Sequence, residues 1–346
     1  MTDDGVSPAR ACLCRSGFED MLARELADAG LRAGSPSPGL VTLGSGEPTN
    51  AMPAAGWAFA SADLFPLATI AGDSVNALGG ALCDWFAEAL RGEQVATPWP
   101  CVFSAVDGVP GLGRRAAAVE RAFHEKLSRR LGRVARLALA EASPGTGPVR
   151  GLFAVFTGFD SVLVSRDAWL GGQRRMADDP AAPARSYLKV EEAYGVAGGA
   201  PEPGQLVCDL GAAPGGWAFS AAKRGALVTA VDNGLLKGGA LDHPLVEHLQ
   251  QDAFVFRPRT GQVYDWLFCD LVEEPHHVLR GVLEPWLAGR WCRRFVVNLK
   301  FGRTDANALL RELRAGDSVL GRLASGARVR HLHHDRDEFT IVGASR

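Results

Sequence analysis

A rhythm in the second half of the chain constrains its fold most. Four runs of strand-like composition, "QLVCDLG", "ALVTAVD", "DWLFCDL" and "RRFVVNLK", recur with segments between them long enough for helices. Alternation at that spacing predicts a mostly parallel sheet with helices on both faces. The runs finish at or near Asp209, Asp232, Asp270 and Lys300. Charge at the end of an apolar strand is costly unless it is solvated or paired, and open α/β sheets bind ligands outside the carboxyl ends of their strands. The closing stretch "ARVRHLHHDRDEFTIVGAS" reads as two strands around a polar turn, hence an antiparallel edge pair.

The first run leads into "GAAPGGW", where Gly211, Gly215 and Gly216 let a ligand approach the backbone and a helix opens behind them. The bland alternative is a plain tight turn. Asp232 follows Asp209 by roughly twenty residues, the interval at which a carboxylate holds the ribose hydroxyls of a nucleoside cofactor; alone it would be a turn cap. The dinucleotide pattern G-x-G-x-x-G is missing, and Pro214 offers no amide donor. That favours S-adenosylmethionine, whose amino-acid tail needs room, over a pyrophosphate-bearing dinucleotide. Asp252, in "LQQDAF", follows the third sheet position, where it could meet an adenine edge.

Asp270 and Lys300 end neighbouring runs and should open onto the same crevice. Lys189 lies on a helix entering this domain, with Ser186 one turn before it on the same face. Ser186 is either part of the site or a helix N-cap. Glu338 begins the final strand. Taken together as lysine, aspartate, lysine and glutamate around one crevice, these residues become informative. Two lysines are then the partners that accompany the buried Asp270.

The first half mixes strands and helices and reads as an α+β domain ending near residue 167, followed by a Gly-, Arg- and Pro-containing linker, "GGQRRMADDPAAPARS". Between Arg114 and Arg136, expected to form a long helix, eight basic residues face two acidic ones, although the whole chain of 346 residues carries a net charge of −2. Such a face, with Arg129, Arg130 and Arg133, either binds phosphate or is a solvated helix surface. Arg174 and Arg175 in the linker are the other candidate RNA contacts. Seven scattered cysteines without a C-x-x-C pair indicate neither disulfides nor a metal site. The start "MTDDGVSPAR" lacks the pattern of a secretory signal, and no apolar stretch suggests a membrane span, so a cytoplasmic protein is expected.

In order, "DLGAAPGGW", "VDNG", "CDLVEEP", "NLK" and "HDRDE" resemble the ribose 2′-O-methyltransferases of the RrmJ/FtsJ superfamily. The chain is most similar to the branch acting on cytidine in large-subunit ribosomal RNA, with further matches at "CRSGFE", "RSYLKVEEAY", "DAFVFRP" and "WLAGRWCR". The resemblance covers nearly the whole chain, most densely from Arg185 onward. It implies a Rossmann-like α/β methyltransferase domain over 185–346, with a seven-stranded, mostly parallel sheet whose last strand is antiparallel. Ahead of it the resemblance implies a ferredoxin-like subdomain (1–70), a THUMP RNA-binding domain (71–167) and a linker (168–184). It further implies S-adenosylmethionine contacts at Ser186, Ala213, Pro214, Gly215, Gly216, Asp232, Asp252 and Asp270, with Lys300 as proton acceptor beside Asp270, Lys189 and Glu338. The implied substrate is a cytidine of the peptidyl-transferase loop. Separately, no heptad or long apolar edge in the sequence demands a partner, so a monomer is expected. For Lys300 to act as a base its pKa must fall; burial, Lys189 and the cofactor sulfonium would lower it, and Asp270 would oppose them. The competing readings are a non-catalytic rRNA-binding assembly factor and an NAD-dependent oxidoreductase.

Overall fold

A computed structural model describes residues 9–34, 36–44, 56–142 and 147–346; the acidic start at residues 1–8 lies outside them. The chain divides into two compact units, one of residues 1–52 and 59–171, the other of residues 53–58 and 172–346.

The first unit is built on strands β1 (Arg10–Cys14), β2 (Leu40–Leu43), β3 (Ala60–Ala71), β4 (Trp99–Ala105), β5 (Ala138–Leu139), β6 (Val149–Phe156) and β7 (Ser161–Leu170). They form one sheet in the order β2-β1-β3-β7-β6-β4-β5. β3 itself runs across residue 70, so segments 9–70 and 71–167 share a single sheet. Alternation along β6 explains how the sheet is covered. Leu152, Ala154 and Phe156 join the core under helices α2 (Val75–Ala89) and α3 (Leu112–Arg130), whereas Phe153 and Val155 belong to a second cluster with Ala11, Leu40 and Leu64. Helix α1 (Glu19–Asp28) precedes β2. α3 buries Leu112, Ala116, Val119, Phe123 and Leu127 at helical spacing. The long basic helix is shorter than expected: it ends at Arg130, and after Leu131 (φ −137) the chain makes only a brief turn, α4 (Gly132–Ala135).

The second unit carries strands β8 (Leu206–Leu210), β9 (Leu227–Val231), β10 (Val246–Leu249), β11 (Tyr264–Cys269), β12 (Cys292–Lys300), β13 (Ala324–Arg330) and β14 (Glu338–Ser345). Their order is β10-β9-β8-β11-β12-β14-β13. β8 to β12 run parallel, and β14 is antiparallel to both of its neighbours. This is the expected Rossmann-like sheet. Helices α5 (Tyr187–Ala197) and α6 (Gly216–Ala222) bury Val190, Tyr194, Trp217 and Ala218 against Val207, Phe268 and Val296 of the sheet. A run of α7 (Pro275–Val278), a π-helical turn (Leu279–Leu283) and α8 (Glu284–Ala288) links β11 to β12, and α9 (Ala306–Arg314) and α10 (Val319–Leu323) link β12 to β13.

The segment between "ALVTAVD" and "DWLFCDL", long enough for a helix, holds β10 and no α-helix. Between β9 and β10 there is only a 3₁₀ turn at Gly238–Ala240, and between β10 and β11 no helix at all. Gly234, Gly238, Gly239 and Pro244 break the first connection, and Pro258 and Gly261 interrupt the second. Both connections leave the carboxyl edge of the sheet open at Asp232 and Asp252.

Candidate active site

Topology brings four charged side chains to one point. Lys189 lies in the first turn of α5, Asp270 directly follows β11, Lys300 ends β12, and Glu338 begins β14 opposite Lys300 in the antiparallel register. Lys300 Nζ stands 2.7 Å from Asp270 Oδ1 and 3.1 Å from Glu338 Oε2. Lys189 Nζ stands 2.7 Å from Glu338 Oε1 and 3.4 Å from Asp270 Oδ2. Each carboxylate therefore bridges both ammonium groups, and the four form a closed ring of alternating charge. Buried charges are tolerated when each is compensated in this way. Lys300 is the most open member, at 25 % exposure against 13, 14 and 5 % for Lys189, Asp270 and Glu338.

Burial pulls the Lys300 pKa down, but the charges and hydrogen bonds of Asp270 and Glu338 outweigh it and hold the group above the ordinary lysine value. The expectation of a lowered pKa is thus reversed in the protein alone. Two carboxylates touch the ammonium directly, and Lys189 faces those same carboxylates. Glu338 shows the complementary balance: burial would raise its pKa, and Lys189, Lys300 and the Arg336 amide bring it below the ordinary carboxylate value.

Asp270 also forms part of the wall of a cavity of about 540 Å³ at the carboxyl edge of the sheet. Gly211, Ala213, Asp232, Asp252, Leu271 and Glu273 line it too, and the stacked rings of Phe254 and His277, 4.2 Å apart and inclined by 7°, form a flat aromatic wall. Asp232 accepts the Ala213 amide at 3.0 Å on one oxygen and the Gly234 amide at 2.7 Å on the other, fixing both loops around it. A carboxylate oxygen has two lone pairs, so each retains acceptor capacity toward the cavity.

Of the residues expected to hold a cofactor, Ala213, Asp232, Asp252 and Asp270 line the cavity. Pro214, Gly215, Gly216 and Ser186 build the turn behind it. The Pro214 carbonyl accepts the Lys237 amide, and Gly215 adopts a left-handed backbone (φ 110) ahead of α6. A Cβ on Gly216 would sit 2.6 Å from Ser186 Oγ, so glycine lets the starts of α5 and α6 touch. Ser186 occupies the N-cap position, but its side chain makes no capping bond; its carbonyl accepts Trp217 Nε1–H at 2.9 Å. Arg129, Arg130 and Arg133 are exposed in the first unit, where Arg130 pairs with Asp84 at 2.5 Å; Arg174 and Arg175 are exposed in the second.

Sequence reasoning gave no role to the polar groups behind the ring. Asp209 is buried beneath α6, and neither of its oxygens makes a hydrogen bond of normal geometry among the described residues. Burial and the charge of Asp270 push its carboxyl up to about 8, against the pull of the nearby Ala218 amide. Asn298, two residues before Lys300, is fully buried, and its side-chain amide also lacks a hydrogen-bond partner among the described residues. Beside it on β14, Thr340 donates to the buried Asp335 at 3.0 Å. Glu274, His276 and Glu312 form a clamp next to the cavity, with His276 bonded to Glu274 at 2.5 Å and to Glu312 at 2.8 Å.

Comparison with known proteins bears on this arrangement. The FtsJ-like methyltransferase model matches residues 182–286. The ribosomal RNA large subunit methyltransferase M of Thauera aminoaromatica is 32 % identical over 370 residues, which cover 94 % of this chain and 93 % of that one. The chain belongs to the ribosomal RNA large subunit methyltransferase M family. Its Azoarcus sp. relative of the same name is 33 % identical over 361 residues, and the one from Halorhodospira halophila is 40 % identical over a region spanning 51 % of each chain. The motif resemblance is thereby met. Within this methyltransferase family member, the FtsJ-like match contains the glycine turn, Asp232, Asp252, Asp270 and Lys189, whereas Lys300 and Glu338 lie beyond residue 286. No helix among the described residues is long and apolar enough to cross a membrane, and no His/Cys/Asp/Glu group among them could hold a metal.

Proposed function

We propose that the chain transfers a methyl group from S-adenosylmethionine to the 2′-oxygen of a cytidine ribose in the peptidyl-transferase loop of large-subunit ribosomal RNA. One observation carries the reading: Asp270 belongs both to the cavity wall and to the lysine–carboxylate ring, so ligand pocket and proton-handling group meet at one residue. The cavity volume is within the ~300–1,000 Å³ of small-ligand sites, and its free carboxylate lone pairs and aromatic wall suit a nucleoside. Asp232 would hold the ribose hydroxyls, Asp252 the adenine edge, and Asp270 with the Ala213–Gly216 backbone and Ser186 the remainder. The bound cofactor supplies an electrophilic methyl on a sulfonium.

The attacking hydroxyl must lose its proton, and Lys300 is the proposed acceptor. A neutral amine has two N–H donors and one lone pair. Asp270 and Glu338 engage two N–H directions of Lys300, which leaves the lone pair for the hydroxyl. Lys189 holds both carboxylates from their far side.

The first unit is proposed to bind RNA as a THUMP-type module, supported by the basic residues along α3 and α4. Replacing Arg129 and Arg133 with alanine should flatten the slope of log K against log salt by ~0.7–0.9 for each phosphate that is no longer neutralised. An unaltered slope, measured by filter binding, returns that face to a solvated helix surface. For the cofactor pocket, Asp232→Ala is expected to weaken S-adenosylmethionine binding ~10-fold or more, since hydrogen bonds to a charged group contribute about 1.5–3 kcal/mol. Equal affinity in a calorimetric titration removes the ribose-holding role. The reaction is tested by incubating unmodified large-subunit RNA with the protein and mapping 2′-O-methyl groups. A new methyl on one cytidine supports the reading, and RNA binding without methylation favours a non-catalytic assembly factor. A monomer acting in the cytoplasm is part of the same proposal.

A further inference from the structure

The lysine–carboxylate ring is neutral as a whole, and around it the carboxyl edge of the sheet carries Asp232, Asp252, Glu273 and Glu274. A polyanionic strand approaching Lys300 therefore needs cations that the ring cannot supply. Two exposed arginines stand on the loops flanking it. Beyond Lys300, the amide of Thr304 donates to the Phe301 carbonyl at 2.5 Å, which closes a four-residue turn with Gly302 and Arg303 at its tip. Gly302 has a left-handed backbone (φ 46), with open space where a Cβ would stand, so turn conformation rather than packing calls for glycine. This turn is tied to the one before Glu338. Phe301 and Gly302 both donate to the Asp337 carbonyl, at 2.9 and 3.4 Å, and the Phe301 and Phe339 rings pack 4.9 Å apart.

Arg336 is held on that second turn at both backbone groups. Its amide donates to Glu338 Oε1 at 3.1 Å, and its carbonyl accepts His331 Nε2–H at 2.8 Å. Neither the Arg303 nor the Arg336 guanidinium makes a hydrogen bond or ion pair among the described residues, although Asp337 lies in the same loop pair. Anchored backbones with unengaged guanidiniums beside a reacting lysine are an arrangement for an external anion. Arginine matches phosphate oxygens through its planar fork of donors. In RNA, the carbon bearing the 2′-hydroxyl is bonded to the carbon bearing the 3′-phosphate, so a hydroxyl at Lys300 brings a phosphodiester to these loops.

We propose that Arg303 and Arg336 clamp the phosphodiester flanking the reacting ribose and so position its 2′-hydroxyl at Lys300; this rests on the ribose-methylation reading above. The test compares the full-length protein with Arg303→Ala, Arg336→Ala and the double variant, using an RNA fragment that contains the mapped target. Each single change is expected to raise KM for RNA ~10-fold, as for a missing charge-assisted hydrogen bond, and the double change to lower the salt slope of kcat/KM by about 0.7, the share of one phosphate, with unchanged S-adenosylmethionine affinity. An RNA carrying a neutral methylphosphonate 3′ to the target should lose a similar factor with the native protein and little more with the double variant. Native KM in both single variants, a native salt slope in the double variant, or additive losses with the methylphosphonate overturn the clamp while leaving ribose methylation standing. Failure of the native protein to methylate ribose overturns both.

Discussion

Replacing Lys300 with alanine is expected to lower kcat by about 10²–10⁴-fold, the range for loss of a positioned proton acceptor, while S-adenosylmethionine binds nearly as before. The affinity is spared because Lys300 is absent from the cavity wall. The catalytic loss follows from its place in the ring, where it is the most exposed of four mutually compensating charges. Alanine also leaves Asp270 and Glu338 sharing one ammonium, so a second variant is needed to separate proton transfer from charge balance. Lys300→Arg restores the cation, but a guanidinium does not deprotonate in a protein; it should be nearly as inactive as alanine. The pH profile supplies a third reading. Asp270 and Glu338 hold Lys300 above the ordinary lysine value against the effect of burial, so the fraction able to accept a proton grows across the neutral and alkaline range. The native rate in single-turnover assays should rise with pH at a slope near one in logarithmic units, and the residual rate of Lys300→Arg should not. Substantial turnover by Lys300→Arg, or a flat native profile, would exclude Lys300 as the base.

How much of this was legible in the sequence depends on whether a residue's role follows from its position along a strand. Asp209, Asp232, Asp270 and Lys300 stand at or just beyond the ends of parallel strands, and a strand end defines an edge of the sheet. That was enough to anticipate one crevice holding Asp270, Lys300, Lys189 and Glu338. The pKa direction of Lys300 was not legible, because it depends on carboxylate distances of 2.7 and 3.1 Å that sequence does not contain. Asp209 was visible as an acid, but its burial without a hydrogen-bond partner of normal geometry depends on α6 closing over it. The missing helix between β9 and β11 follows from glycines and prolines whose effect a length argument overlooks. Arg336 drew no attention within "HHDRDE", because its significance comes from the backbone bonds joining its turn to the one after Lys300.

The neighbouring acids of "VEEAY" give the sharpest case, and the second large effect. Glu191 faces α6, where it pairs with Arg224 at 2.5 Å and accepts from Ser220 at 2.7 Å. Glu192, fully buried, accepts three backbone amides: Arg174 and His333 on Oε1 at 2.9 and 2.8 Å, and His334 on Oε2 at 3.0 Å. Adjacent helical residues point in directions 100° apart, so identical letters reach different partners. Glu192→Ala would leave these amides without their acceptor, at about 1–3 kcal/mol each, or several kcal/mol in total. At ~2–4 °C per kcal/mol for a unit of this size, the melting temperature should fall by roughly 10 °C. Glu192→Gln should recover only part of the loss: its single oxygen can serve Arg174 and His333, but its NH₂ then faces the His334 amide, donor against donor. Glu191→Ala should cost less, because Arg224 is 28 % exposed and can be solvated. Glu192 lies one helical turn beyond Lys189, and His333 and His334 lead into the turn that carries Glu338. Its loss should therefore lower methyl transfer even well below the melting transition, through misplacement of Lys189 and Glu338 in the ring. A melting temperature within about 2 °C of the native value, or a Glu191→Ala effect as large as that of Glu192→Ala, would show that these amides do not depend on Glu192 to hold the ring's supporting turn.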